Sequence, residues 1–135
     1  MQREPVEPGS PADWIRHAES DLAIASQPPP AGVLFETLCF HAQQAVEKSL
    51  KAVLISHNVE PPYTHDIAKL ISAIEASGIE WPDRLDDAAG LTRYAVQTRY
   101  PGVVGPVPEE HHSRSVAVAR AVLAWAERVI SKGGT

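Results

Sequence analysis

His41, Gln44, Lys48 and Lys51 place an imidazole, an amide and two ammonium groups within one segment free of Gly and Pro. With Thr37 before them and Ile55 after, they recur at intervals of four, three, four, three and four residues. That spacing lines side chains along one stripe of an α-helix. A helix packed on that stripe would fill it with Leu or Ile, yet here its middle is polar. Lys and Gln are ordinarily exposed, so the stripe can be a solvated face, helped by a Glu47/Lys51 pair at i,i+4 worth a few tenths of a kcal/mol. It can also be one wall of a polar pocket, because Lys48 and Lys51 lie one turn apart and can reach the same phosphate.

Two more groups have suitable chemistry. Thr64-His65-Asp66 restarts the chain after Pro61-Pro62. Thr64 can cap the following helix and Asp66 suits the positive end of its dipole, while His65 is either a loop imidazole or an acid–base group. Arg93-Tyr94 and Arg99-Tyr100-Pro101 close the fourth helical segment. Arg99 and Tyr100 can complement that helix's dipole, or offer a guanidinium fork to a phosphate and an aromatic face to a base. Glu109-Glu110-His111-His112 has metal-binding residue types, but adjacent helical residues point about 100° apart and do not converge on one ion. It is expected to be a solvated helix start, and no metal or cofactor is expected. The single cysteine, Cys39, excludes an internal disulfide; its small-residue surroundings predict a buried structural thiol. The sequence has no nucleophile elbow, phosphate-cradling glycine loop or zinc-protease helix.

These residues must be positioned by helices. Residues 1–9 read as a flexible arm; Ser10 is a good N-cap, with Pro11 at the first helical position and Asp13 three residues after the cap. The first helix runs to about Ser26, with Trp14, Ala18, Leu22 and Ala25 on one face, and Pro28-Pro29-Pro30 stops it. The second occupies roughly Val33 to Val59. Opposite the polar stripe it carries Leu34, Leu38, Cys39, Ala42, Ala45, Val46, Ser49, Ala52 and Val53, mostly small side chains that let another helix come close. A short third helix buries Ile67, Leu70, Ile71 and Ile74 and ends at Gly78. A fourth, from about Pro82 to Thr98, is expected to bury Leu85, Ala88, Ala89, Thr92, Ala95 and Val96. After a Pro/Gly break the last runs from Glu109 to about Ser131, with Val118, Val122, Trp125 and Val129 at four, three and four; residues 133–135 fray. No stretch alternates with period 2. The expectation is an all-α, up-and-down bundle of about five helices in one domain over 10–132.

Composition narrows the function classes. The 135 residues are 44% hydrophobic and 21% charged, which suits one globular domain. A net charge of -5 gives no whole-molecule attraction to nucleic acid, so any such contact needs a local basic patch. No apolar run reaches the roughly 18 residues of a membrane span, and the first ten residues are acidic and Pro-rich, unlike a signal peptide. A cytoplasmic protein without membrane contact is expected.

The block Phe40-His41-Ala42-Gln43-Gln44-Ala45-Val46-Glu47-Lys48-Ser49-Leu50-Lys51-Ala52, then His65-Asp66-Ile67 with Leu70, then Arg99-Tyr100-Pro101-Gly102, closely resembles the HEPN domain (higher eukaryotes and prokaryotes nucleotide-binding). The resemblance spans roughly Asp13 to Lys132. It implies an up-and-down helical bundle, frequently dimeric, and in prokaryotes often encoded beside a minimal nucleotidyltransferase as a toxin–antitoxin pair. Many members are metal-independent ribonucleases whose site is an Arg, four to six intervening residues and a His. No arginine here has a histidine at that spacing: His17 adjoins Arg16, and eleven residues separate Arg99 from His111. The chain instead resembles the branch with Arg-Tyr-Pro after the fourth helix, for which the implied role is nucleotide binding. The expected ligand is a nucleotide or RNA phosphate held by Lys48, Lys51, Arg99 and Tyr100, with His41, Gln44 and His65 beside them and no catalytic residue assigned. A homodimer and a nucleotidyltransferase partner are implied. Two alternatives stand: a ribonuclease toxin whose His and Arg meet only in space, and a non-catalytic dimeric interaction module.

Overall fold

Among the described residues, five α-helices and one 3-10 segment build an up-and-down bundle around a single central helix. The computed structural model describes residues 6–97 and 106–133. In chain order these are α1 (Pro11–Ala25), α2 (Phe35–Ser56), α3 (Ile67–Ala76), a 3-10 segment (Asp83–Leu91), α4 (Thr92–Gln97) and α5 (Glu109–Gly133). No strand occurs among the described residues. Arg99, Tyr100 and the side chain of Val96 lie outside them, as do residues 1–5 of the expected arm and the last two residues.

The central position of α2 follows from its composition. Ala42, Ala45 and Ala52 are fully buried, as are Val46, Leu50, Val53 and Leu54. The small residues allow α1 and α5 to pack closely on α2, with α3, α4 and the 3-10 segment against the remaining surface. Leu34, expected on the buried face, is instead the N-cap of α2 and is exposed. Its residue precedes the helix, so its side chain does not follow the helical stripe. The Glu36 carboxylate takes up one nearby donor, accepting from Val107 N–H at 3.0 Å.

The helix ends show why the sequence stops where it does. Ser10 Oγ accepts from Asp13 N–H at 3.2 Å while the Asp13 carboxylate accepts from Gly9 N–H at 3.0 Å, a reciprocal cap. α2 and α3 end alike. Asn58 (φ 59°) and Gly78 (φ 81°) take the left-handed conformation, and the next residues, Val59 and Ile79, donate back to Leu54 and Ile74. α3 begins with Asp66 as its N-cap, accepting from Ala68 N–H, rather than with Thr64, whose hydroxyl accepts from Asp66 N–H.

The expected fourth helix divides. Asp83–Leu91 winds as a 3-10 segment before four-residue periodicity resumes in α4. In a 3-10 helix, residues three apart eclipse, and Leu85, Ala88 and Leu91 are the three that it buries. Ala89 and Thr92 are only half-buried. Asp83, Asp86, Asp87 and Gly90 are poor formers of α-helix. Asp86 also serves Trp81, accepting from its indole N–H at 2.8 Å, while Trp81 packs edge-on against Trp125 at 5.0 Å.

The start of α5 is not wholly solvated. Glu109 and Glu110 are exposed, but His112 is buried against Phe35, and its Nε2–H donates to Ala25 O at 2.7 Å. A carbonyl in the last turn of α1 has no partner within its own helix, so this imidazole closes α1 from another element.

Candidate functional site

The polar stripe of α2 is half-buried and organised by two carboxylates. Asp21, from α1, accepts from Lys48 Nζ at 2.6 Å on Oδ2 and from His41 Nδ1 at 2.9 Å on Oδ1. Glu47, from α2 itself, accepts from Lys51 Nζ at 2.9 Å on Oε2 and from His65 Nδ1 at 3.0 Å on Oε1. Each carboxylate therefore holds one ammonium and one imidazole. A carboxylate oxygen can only accept, so the proton on each ring sits on Nδ1 and Nε2 is turned away from the pair. Two amides extend the Glu47 cluster along α2. Gln43 Nε2 donates to Glu47 Oε1 at 3.0 Å and to His65 O at 3.5 Å, and Gln44 Nε2 donates to Gln43 Oε1 at 2.8 Å. Lys51 Nζ also lies over the Trp14 ring, 5.6 Å from its centroid.

The sequence-level picture of Glu47/Lys51 as a surface pair does not hold. The Glu47 side chain is 4% exposed and that of Lys51 is 13% exposed, too dry for the few tenths of a kcal/mol that suit a solvated pair. Burial works to raise the Glu47 carboxyl, but the N–H groups of Lys51, Gln43 and His65 outweigh it and hold Glu47 below its ordinary value of 4.5.

Of the residues expected at the site, His41, Gln44, Lys48, Lys51 and His65 come together on this strip. Arg99 and Tyr100 lie outside the described residues. Asp21, Gln43 and Glu47 belong to the site and were not foreseen as members. Asp21 had a legible signal: with Ala18, Leu22 and Ala25 it falls on the buried stripe of α1, where an unpaired carboxylate would be costly.

A second polar cluster lies where the 3-10 segment, α4 and α5 meet. Asp87, Arg93, Tyr94, His111, Arg114 and Ser115 line a cavity of about 250 Å³ together with Gly90, Leu91 and Val118. The Arg93 guanidinium stacks 4.8 Å from the Tyr94 ring centroid. Its Nη2 donates to Tyr94 Oη at 2.8 Å and to His111 Nδ1 at 3.1 Å. A guanidinium has no acceptor, so His111 Nδ1 accepts and the ring proton sits on Nε2. Cys39, fully buried, adjoins two of the lining residues; burial raises its thiol, with hydrogen bonds to Ser115 and Tyr94 acting the other way. Among the described residues no group of three His, Cys, Asp or Glu side chains converges as a metal site, and no helix is long and apolar enough to cross a membrane.

The model of the HEPN domain matches residues 11–129. The chain belongs to the HEPN domain family. Among solved structures, this HEPN domain is similar to a protein of Thermus thermophilus, at 26% identity and a TM-score of 0.77, over 88% of this chain and 97% of that one. It is also similar to an archaeal HEPN homologue, at 27% identity and a TM-score of 0.70, over 90% of this chain and 98% of the other. A search of curated proteins found no match. The strip and all three blocks that carried the resemblance fall inside the matched span.

Proposed function

We propose that this HEPN domain binds a nucleotide or an RNA phosphate along the α2 strip, acting as a homodimer beside a minimal nucleotidyltransferase in a toxin–antitoxin-type pair. The observation that carries the reading is the paired arrangement itself: Asp21 and Glu47 each fix one ammonium and one imidazole on the half-buried edge of α2. An ammonium has three donors, so a carboxylate that takes one leaves others for a ligand oxygen. Protein kinases orient a lysine toward phosphates with a glutamate in the same way. His41 and His65, with Nδ1 committed to a carboxylate, present Nε2 outward. Arg99 and Tyr100 are proposed to add a guanidinium fork and a stacking face. Symmetric dimers are the commonest soluble assembly.

Titration with adenosine 5′-monophosphate and with a short single-stranded RNA tests this, using wild type, Lys48→Ala, His65→Ala and Arg99→Ala, with thermal melts alongside. Loss of one charged contact to phosphate is expected to weaken binding by about 1.5–3 kcal/mol, roughly 10- to 100-fold. Variants that stay folded and bind as tightly as wild type would make the strip purely structural.

A further inference from the structure

We propose that the cavity between the 3-10 segment, α4 and α5 is a second ligand site, sharing no residue with the α2 strip, that takes a ribose phosphate on Arg93, Arg114 and Asp87. The strip's cations already have carboxylate partners, whereas among the described residues the cavity's do not. Arg114 is exposed and has no hydrogen bond or ion pair among the described residues. Both contacts of Arg93 leave through Nη2, so its Nε and Nη1 donors are also free there. Stacking on Tyr94 and the bond to His111 nevertheless fix the plane of the guanidinium. One guanidinium is thus held in place and the other is exposed and unbonded among the described residues, in a protein whose net charge is -5. Planar forks of this kind match phosphate oxygens two at a time.

The other lining groups narrow the ligand. Asp87 would repel a bare anion but can accept from a sugar hydroxyl, and Ser115 adds a hydroxyl to the wall. His111, with Nδ1 occupied by Arg93, has an Nε2–H to donate. A volume of about 250 Å³ falls just short of the roughly 300–1,000 Å³ of sites that enclose a drug-sized molecule. It suits a phosphate with its ribose, the base remaining outside. A free mononucleotide and the phosphorylated end of an RNA offer the same group.

The experiment is a backbone-amide NMR titration of the whole chain with inorganic phosphate, adenosine, adenosine 5′-monophosphate, its 2′-deoxy analogue and a 5′-phosphorylated oligoribonucleotide. Expected are phosphate-dependent shifts at residues 87–94 and 111–118, none with adenosine, and weaker binding of the deoxy analogue, a distinction that Asp87→Ala abolishes by removing the acceptor. Arg114→Gln and Arg93→Gln should weaken the monophosphate about 10- to 100-fold, while Arg128→Gln, an equal change of charge elsewhere on α5, should not. Shifts with the monophosphate identify a free nucleotide as sufficient; shifts with the oligonucleotide alone identify an RNA end. Because Arg114 makes no hydrogen bond or ion pair among the described residues, its loss does not act through unfolding. The proposal is overturned if no probe shifts the cavity residues, if adenosine binds as well as its monophosphate, or if Arg114→Gln binds unchanged. Binding that depends on Lys48 but not on Arg114 would overturn the cavity and leave the strip standing.

Discussion

The strip and the cavity contain similar cations in opposite electrostatic situations. Lys48 and Lys51 are neutralised by carboxylates that are 12% and 4% exposed, so their charge is part of how α1, α2 and the loop before α3 are held together. Arg93 and Arg114 line an open cavity and have no carboxylate bonded to them among the described residues. A buried carboxylate stripped of its cation is far more costly than a solvated guanidinium that is lost. Stability should therefore respond to the strip and hardly to the cavity, even where both bind phosphate.

The sharpest way to break that contrast is Glu47→Ala. It strands the Lys51 ammonium, the Gln43 amide and a ring N–H of His65, and is expected to cost about 3–5 kcal/mol in urea denaturation. A loss under about 1 kcal/mol would return Glu47 to the surface. A double-mutant cycle on Asp21→Asn and Lys48→Met should yield a coupling of about 1–2 kcal/mol, smaller because this pair is wetter.

Acid should act through the same carboxylate. Glu47 is held below its ordinary value, so its contribution to stability is fully present above pH 4.5 and is lost as pH falls through the lower folded value. Melting temperature is expected to drop below about pH 4.5 in wild type, and to drop less in Glu47→Gln. A wild-type melt that is flat through that window would remove Glu47 from the account.

Cys39 reports on the packing of Ser115 and Tyr94, to which its thiol is hydrogen-bonded. Its thiol is buried and raised, so iodoacetamide at neutral pH should label it only when denaturant is added. Rapid native labelling would mean that Ser115 and Tyr94 do not shield the thiol. The smallest effect belongs to Arg114→Gln, expected within about 0.5 kcal/mol of wild type in stability, as a chemical melt would show.

Much of the bundle was legible because helix signals are local. Ser10 with Asp13, Gly78, and the four-residue recurrence of Ile67, Leu70, Ile71 and Ile74 act within a turn or two of themselves, and each does what its spacing implies. The 3-10 winding of Asp83–Leu91 was less legible, since three-residue and four-residue patterns overlap in Leu85, Ala88 and Ala89, and the choice depended on Trp81 reaching Asp86 and Trp125. His112 misled for a similar reason: its acceptor, Ala25 O, lies 87 residues away.

The functional residues divide along the same line. The amino-acid sequence alone determined that α2 has a polar stripe of His41, Gln44, Lys48 and Lys51, because residues on one helix keep their spacing wherever that helix packs. Only the tertiary structure decided what those groups are bonded to. Asp21 meets Lys48 across 27 positions and His65 meets Glu47 across 18, while Arg93 and His111, 18 apart, meet across two helices. A hydrogen bond acts over about 3 Å whatever the separation along the chain, and that proximity exists only once α1, α4, α5 and the loop before α3 have packed around α2.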